Sequence, residues 1–216
     1  MTGHVHLAVS LDGAGEHPAA WRDAAAAPAA ALFGADLWVE RVATAERGLL
    51  DFVSFDDTFG IQSGSRRRID ERTDQVRGRV DAVLLASRVA PRTTHIGLVP
   101  VATVTHPEPF HLASSLSTLD WITNGRGGWQ PRVSARETEA ALVGVRPAPA
   151  GTDDLFEEAT DAVEVVRRLW DSWEDDAIIK DVATGRFVDR DKLHYVDFEG
   201  RYFSVKGPSI VPRPPQ

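Results

Sequence analysis

Apolar residues repeat at two spacings along this chain, every second residue in short runs and every third or fourth in longer ones, and the two kinds of segment alternate. Val5 to Leu11 predicts a first strand ending at the turn pair Asp12-Gly13. After the Ala/Pro-rich stretch HPAAWRDAAAAPAAA, Asp36 is placed to cap a helix with the apolar stripe Leu37, Trp38, Val42, Ala45 and Leu49. Phe52 to Phe55 predicts a buried second strand that runs into Asp56-Asp57. A helix from Val80 is closed by Pro91, a third strand spans HIGLVPVATV, and PFHLASSLSTLD predicts the next helix. Pro100 is awkward in that strand, because a central strand needs the N–H that proline lacks. A fourth strand is expected around Trp129 to Val133. The strongest pattern comes last: Leu155, Ala159, Ala162, Val163, Val166, Leu169, Trp170 and Trp173 recur at three to four residues, and Asp154 and Glu157 are spaced as a capping box. The β-like pieces RFVD, HYVDF and RYFSV follow, then GPSIVPRPPQ.

Four strand–helix units in a row imply parallel pairing through right-handed crossovers. A doubly wound sheet and a (β/α)8 barrel both fit that rhythm. A barrel takes about 250 residues, so as a barrel this 216-residue chain would hold only about the first four units. The expected organisation is then an N-terminal half-barrel in residues 1–175, with a β-rich insertion and proline-rich tail in 176–216 leading to an absent fifth strand. A half-barrel leaves strand edges and helix faces open, so the expected partner is a C-terminal half of the barrel or a second copy in a homo-oligomer.

The formal net charge of −8 argues against general nucleic-acid binding, since phosphates are repelled. In the densest basic run, Ser65 to Arg79, Asp70, Glu71 and Asp74 interleave with the arginines, the pattern of a solvated loop. The absence of cysteine excludes disulfides and thiolate metal sites and makes a reducing cytoplasm the expected location. No run approaches the roughly 18 apolar residues of a membrane-spanning helix. His4 and His6 share a strand face with no evident third ligand, so no metal site is expected. NGRGGW lacks the glycine spacing of a dinucleotide fingerprint, and QSGS at Ser63 lacks the second glycine of a nucleophile elbow. His106, just after the third strand, stands where an acid or base could act on a substrate.

The stretch DWITNGRGGWQPRVS, Asp120 to Ser134, gathers Gly125, Gly127 and Gly128 around Arg126 and stops at Trp129. In SLSTLDWITNGRGGWQPRVS the chain resembles the bacterial luciferase-like flavin monooxygenases, in the branch of the nitrilotriacetate, dibenzothiophene-sulfone and long-chain alkane enzymes. HPAAWRD, ERGLLDFVSFDD, VVRRLWDSWEDDAI and FEGRYFSVKGPSIVPRPPQ resemble the same family in the same order. The resemblance implies a (β/α)8 (TIM) barrel binding FMN at the C-terminal ends of its strands. It further implies that a separate flavin reductase supplies the FMN in reduced form, and that O₂ is used to oxygenate a small organic substrate. Asp57, Thr103 and Gln130 are its implied flavin contacts, while Gly125, Gly127 and Gly128 are expected to be structural, capping the helix and starting the strand so that the backbone can pass close to a ligand. Val101, Thr152 and Phe156 are further cofactor positions, standing where the family has threonine, histidine and tyrosine. Pro131 and Val133 also remove a donor and a hydroxyl from the family's Trp-Asn-x-Val-Thr. These departures open a second expectation, a non-catalytic paralogue acting as a structural or regulatory subunit of a paired oxidoreductase.

Overall fold

A computed structural model describes residues 4–23, 26–65, 68–149 and 151–215. Strands β1 (Ala8–Leu11), β2 (Phe52–Phe55), β3 (Gly97–Thr103) and β4 (Gln130–Arg132) lie side by side in chain order, every pair parallel. Between them run α1 (Ala29–Leu32) and α2 (Ala35–Arg47), then α3 (Ala82–Val89), then α4 (Pro109–Thr123). Beyond β4 come α5 (Glu137–Val143) and α6 (Thr152–Trp170). Two antiparallel ribbons finish the chain: β5 (Ile178–Asp181) with β6 (Arg186–Val188), and β7 (Phe198–Glu199) with β8 (Ser204–Val205).

Strand parity decides which side chains form the core. Val53 and Phe55 of β2 and Leu98 of β3 face the helices and pack with Trp38 and Val42 of α2 and Leu85 and Val89 of α3. Each fully buried side chain of this size contributes about 1.5–3 kcal/mol. A second cluster joins α4 to α6 through Ala113, Leu116, Val165, Val166 and Leu169, with Trp129 and Trp170 edge-to-face against it.

Helix starts depart from the sequence reading in small ways. Gly34, not Asp36, is the N-cap of α2, and Asp36 lies in the first turn. α6 starts at Thr152 after Gly151 with no side-chain cap. Asp154 and Glu157 are used elsewhere, both accepting from Arg201, at 2.9 and 2.8 Å, and from the Tyr202 hydroxyl. The buried stripe of α6 is Leu155, Glu158, Ala162, Val165, Val166 and Leu169, so it contains a carboxylate.

Pro100 lies inside β3, and the ladder to β4 gives way there. Leu98 donates to the Arg126 carbonyl at 2.9 Å and accepts from the Gly128 amide at 2.8 Å. Alternate residues of a parallel strand face the same neighbour, so Pro100 is the next one that would donate to β4. Continuous pairing resumes only at Val101 opposite Gln130.

The glycine-rich stretch forms the α4–β4 turn, at the N-terminal end of β4. Gly125 has φ +81°, a Cβ on Gly127 would sit 3.0 Å from Asp120 Cα, and one on Gly128 would sit 2.7 Å from Val99 Cγ2. Arg126 clamps this turn to the segment before β3, donating to the Ile96 carbonyl at 2.7 Å, the Thr93 hydroxyl at 3.1 Å and the Thr93 and Ala90 carbonyls at 3.3 and 3.4 Å. These glycines serve chain packing, the structural role expected of them, at the end of the sheet away from the C-terminal strand ends. Glu46 of α2 holds the same end, accepting the amides of Thr94 and His95 at 2.8 Å and of Ile96 at 3.1 Å. Burial works against its ionisation, but the three amides outweigh it and hold its pKa at about 2.

Arg126→Met should cost about 2–3 kcal/mol in urea unfolding by stranding its acceptors, and an unchanged midpoint would refute the clamp. Glu46 has a folded pKa below its unfolded one, so its contribution is complete above about pH 4.5 and is lost as pH falls toward 2. Glu46→Gln should thus be less stable than wild type by about 2 kcal/mol at pH 7, with the gap closing between pH 4.5 and 2 in acid-denaturation curves.

Candidate active site at the C-terminal strand ends

The four parallel strands deliver a dense set of polar groups at their C-terminal ends. β1 runs into Asp12 and β2 into Asp56-Asp57. Arg79, from the segment before α3, donates to Asp12 at 2.6 Å and pairs with Asp56 at 2.7 Å. Arg132 of β4 pairs with the same Asp56 and donates to the Asp57 carbonyl. Two guanidiniums and two carboxylates, all largely buried except the half-buried Arg132, thus neutralise one another across β1, β2 and β4.

Asp57 faces the start of α3. One of its oxygens accepts the Thr58 amide at 2.6 Å and the other the Ala82 amide at 3.0 Å. Burial raises its pKa; these two amides pull the other way, as does Arg79, while the nearby Asp81 adds to the rise. Asp57 and Thr103 line one cavity of about 660 Å³, together with Thr58, Glu108 and His111. Thr103 stands opposite Arg132 in the ladder and Val101 opposite Gln130. Val101 is 2 % exposed, whereas Gln130 is open to solvent.

Glu139 of α5 joins the ends of β2 and β4, accepting from the Thr58 hydroxyl at 2.9 Å and from the Ser134 hydroxyl. The Ser134 amide in turn donates to the Thr105 hydroxyl at 3.0 Å. His106 follows directly, 4 % exposed, and donates its amide to Glu158 Oε1 of α6 at 3.0 Å. Arg146 pairs with the same Glu158. Burial lowers the His106 pKa, the Arg146 charge lowers it further, and Glu139 opposes them. Thr152 opens α6 and lines a second cavity of about 900 Å³ with Arg146 and Leu155. Phe156, one turn on, is 60 % exposed and lines neither cavity.

The structure therefore brings Asp57 and Thr103 to one cavity, sets Val101 and Gln130 side by side on adjacent strands, and leaves Thr152 and Phe156 apart from them. Four polar residues escaped the sequence reading of this face. Arg79 lay inside a basic run read as solvated, and Arg132 inside a strand. Glu139 gave no signal, but Glu158 did: it falls between Leu155 and Ala162 on the apolar stripe of α6, where a carboxylate needs partners.

With four parallel β/α units in order and polar groups gathered at the C-terminal ends, the comparison with known proteins is decisive. The luciferase-like monooxygenase family matches residues 14–216. This chain belongs to that family. The N-acetyl-S-(2-succino)cysteine monooxygenase of Bacillus subtilis is 38% identical over 98% of this chain and 46% of its own length. Nitrilotriacetate monooxygenase component A of Aminobacter aminovorans is 38% identical over 94% of this chain and 45% of its own. Among solved structures, a long-chain alkane monooxygenase superposes with a TM-score of 0.90 at 26% identity, covering 100% of this chain and 50% of that one. A riboflavin lyase structure, described with modified FMN and riboflavin, gives 0.81 at 28% identity, covering 98% and 48%. The luciferase-like chain described here thus spans about half the length of the relatives it matches and forms the first four β/α units of their (β/α)8 barrel. Among its described residues, no helix is long and apolar enough to cross a membrane.

Asp57→Ala should lower stability by about 1–2 kcal/mol, because the Thr58 and Ala82 amides lose their acceptor. Asp57→Asn should recover most of that loss, since an amide oxygen still accepts. Thermal unfolding of the two variants checks this, and equal losses would refute the acceptor role of Asp57.

Proposed function

We propose that this chain carries the flavin-facing part of an FMN-dependent, two-component monooxygenase, in which a separate flavin reductase supplies reduced FMN and a small organic molecule is oxygenated by O₂. The observation that carries this reading is the meeting of Asp57 and Thr103 at the C-terminal strand ends, the face where barrels of this type place their chemistry, on a cavity that continues into the groove between α3 and α4. The exposed amide of Gln130 and the unpartnered imidazole of His106, neither of them in the lining of that cavity, offer further polar atoms nearby in the chain. Reduced FMN would supply the electrons that activate O₂.

The rest would fall to the chain. Thr103 and Gln130 would offer hydrogen bonds to the edge of the flavin, and Asp57 would fix the start of α3 beside it. His106 would give or take a proton at the substrate, and its neutral form is favoured by burial and Arg146. Buried Val101 would exclude water without offering a donor. Residues 1–175 would supply the barrel units, 176–216 the insertion, and a C-terminal half or a second copy the remaining wall.

A second reading, the non-catalytic subunit, draws on two positions. Thr152 and Phe156 lie apart from the 660 Å³ cavity, and Phe156 points to solvent. Titrating FMN into the full protein, purified with any chain that accompanies it, separates the two. The monooxygenase reading expects quenching of flavin fluorescence with micromolar affinity, weakened roughly three- to tenfold by Thr103→Val or Gln130→Ala, about one hydrogen bond each. Absence of binding at millimolar FMN would favour the subunit.

A further inference from the structure

His106 occupies a costly position. It is not glycine, yet its φ is +81°, in the left-handed region that L side chains avoid. Its imidazole is almost wholly buried, and neither ring nitrogen has a hydrogen-bond partner. A buried polar group left unpaired is costly, and one that persists in a folded protein calls for a reason such as a catalytic role or a bound partner. Thr103 and Pro107, on either side of His106 in the chain, line the 660 Å³ cavity, and Arg146 lines the 900 Å³ one, while His106 itself lines neither.

One carboxylate holds this arrangement. Glu158 is 1 % exposed on the inner stripe of α6, accepts the His106 amide through Oε1 and pairs with Arg146. Arg146 also lies over the Tyr202 ring, its guanidinium carbon 5.1 Å from the ring centre. Oε2 of Glu158 has no partner. Helix packing alone would be served better by an apolar residue at this position.

Building on the monooxygenase reading, we propose that Glu158, anchored by Arg146, is a positioning residue that holds His106 in its left-handed conformation and leaves the imidazole free for a polar atom of the substrate. The charged groups facing His106 are Arg146, Glu139 of α5 and Glu158 of α6.

Nuclear magnetic resonance on the flavin-free full protein tests this. Glu158→Gln keeps an oxygen acceptor and should keep the His106 amide protected from exchange, whereas Glu158→Ala should speed its exchange at least about tenfold. Arg146→Met should lower that protection less than Glu158→Ala does and move the His106 ring titration to higher pH, because a neighbouring cation is removed. His106→Phe should raise the melting temperature by about 2–4 °C, since two unpaired nitrogens leave the interior. Should Glu158→Ala fail to fold, Arg146→Met and His106→Phe decide. An unmoved His106 titration, unchanged amide exchange in Glu158→Ala, or a lower melting temperature for His106→Phe would each overturn the proposal. All of these readouts are taken without flavin, so they are distinct from the FMN titration on which the monooxygenase reading stands.

Discussion

Asp56 sits between two guanidiniums, and the candidate site is organised around that shared carboxylate. Arg79 brings Asp12 and β1 to it, and Arg132 brings β4, so three of the four strand ends are tied through one side chain. Hydrogen bonds within the sheet fix the strands along their length but leave their outgoing loops unspecified. A paired charge lattice supplies that specification, because a partly buried guanidinium without its carboxylate is far less stable than either arrangement with both. Asp57, next in the chain, inherits its position from the lattice through its carbonyl and orients α3 through its carboxylate.

The opposite end of the sheet is built for a different purpose. Arg126 and Glu46 spend their polar groups on backbone partners in the turn that precedes β3, and the glycines of the α4–β4 turn allow close chain approach. Polar side chains at the N-terminal strand ends thus secure the fold, while those at the C-terminal ends surround cavities. Barrels of parallel strands divide their labour in this way, and the likeness to long-chain alkane monooxygenase over this whole chain is a likeness of that frame.

Much of the frame was legible in the sequence. The strands at Phe52–Phe55 and Gly97–Thr103 and the helix before Trp170 follow from periodicity, and the order of units leads to parallel pairing. Helix starts were less legible: glycine caps two helices without side-chain help, and the Asp154/Glu157 pair that resembles a capping box bonds instead to Arg201 and Tyr202, more than forty residues away. The strand at Ile178–Asp181 was missed because a short exposed ribbon has no buried face to impose alternation. In the site, Asp57 and Thr103 could be placed from strand ends, but Arg79 and Arg132 could not. Their partners lie 67 and 76 residues away, and charge choice over such spans leaves no local mark. Glu158 is the exception, a carboxylate on a stripe where only apolar residues belong.

The proposed flavin site lies at the C-terminal strand ends. The most direct measurement is mapping of backbone amide resonances in the isotopically labelled protein as FMN is added. The largest changes should fall just beyond β2 and β3, around Asp57 and Thr103 to His106, and along β4 and its exit, Gln130 to Ser134. Changes concentrated instead around Asn124 to Gly128 and Thr93 to Ile96, at the other end of the sheet, would contradict it.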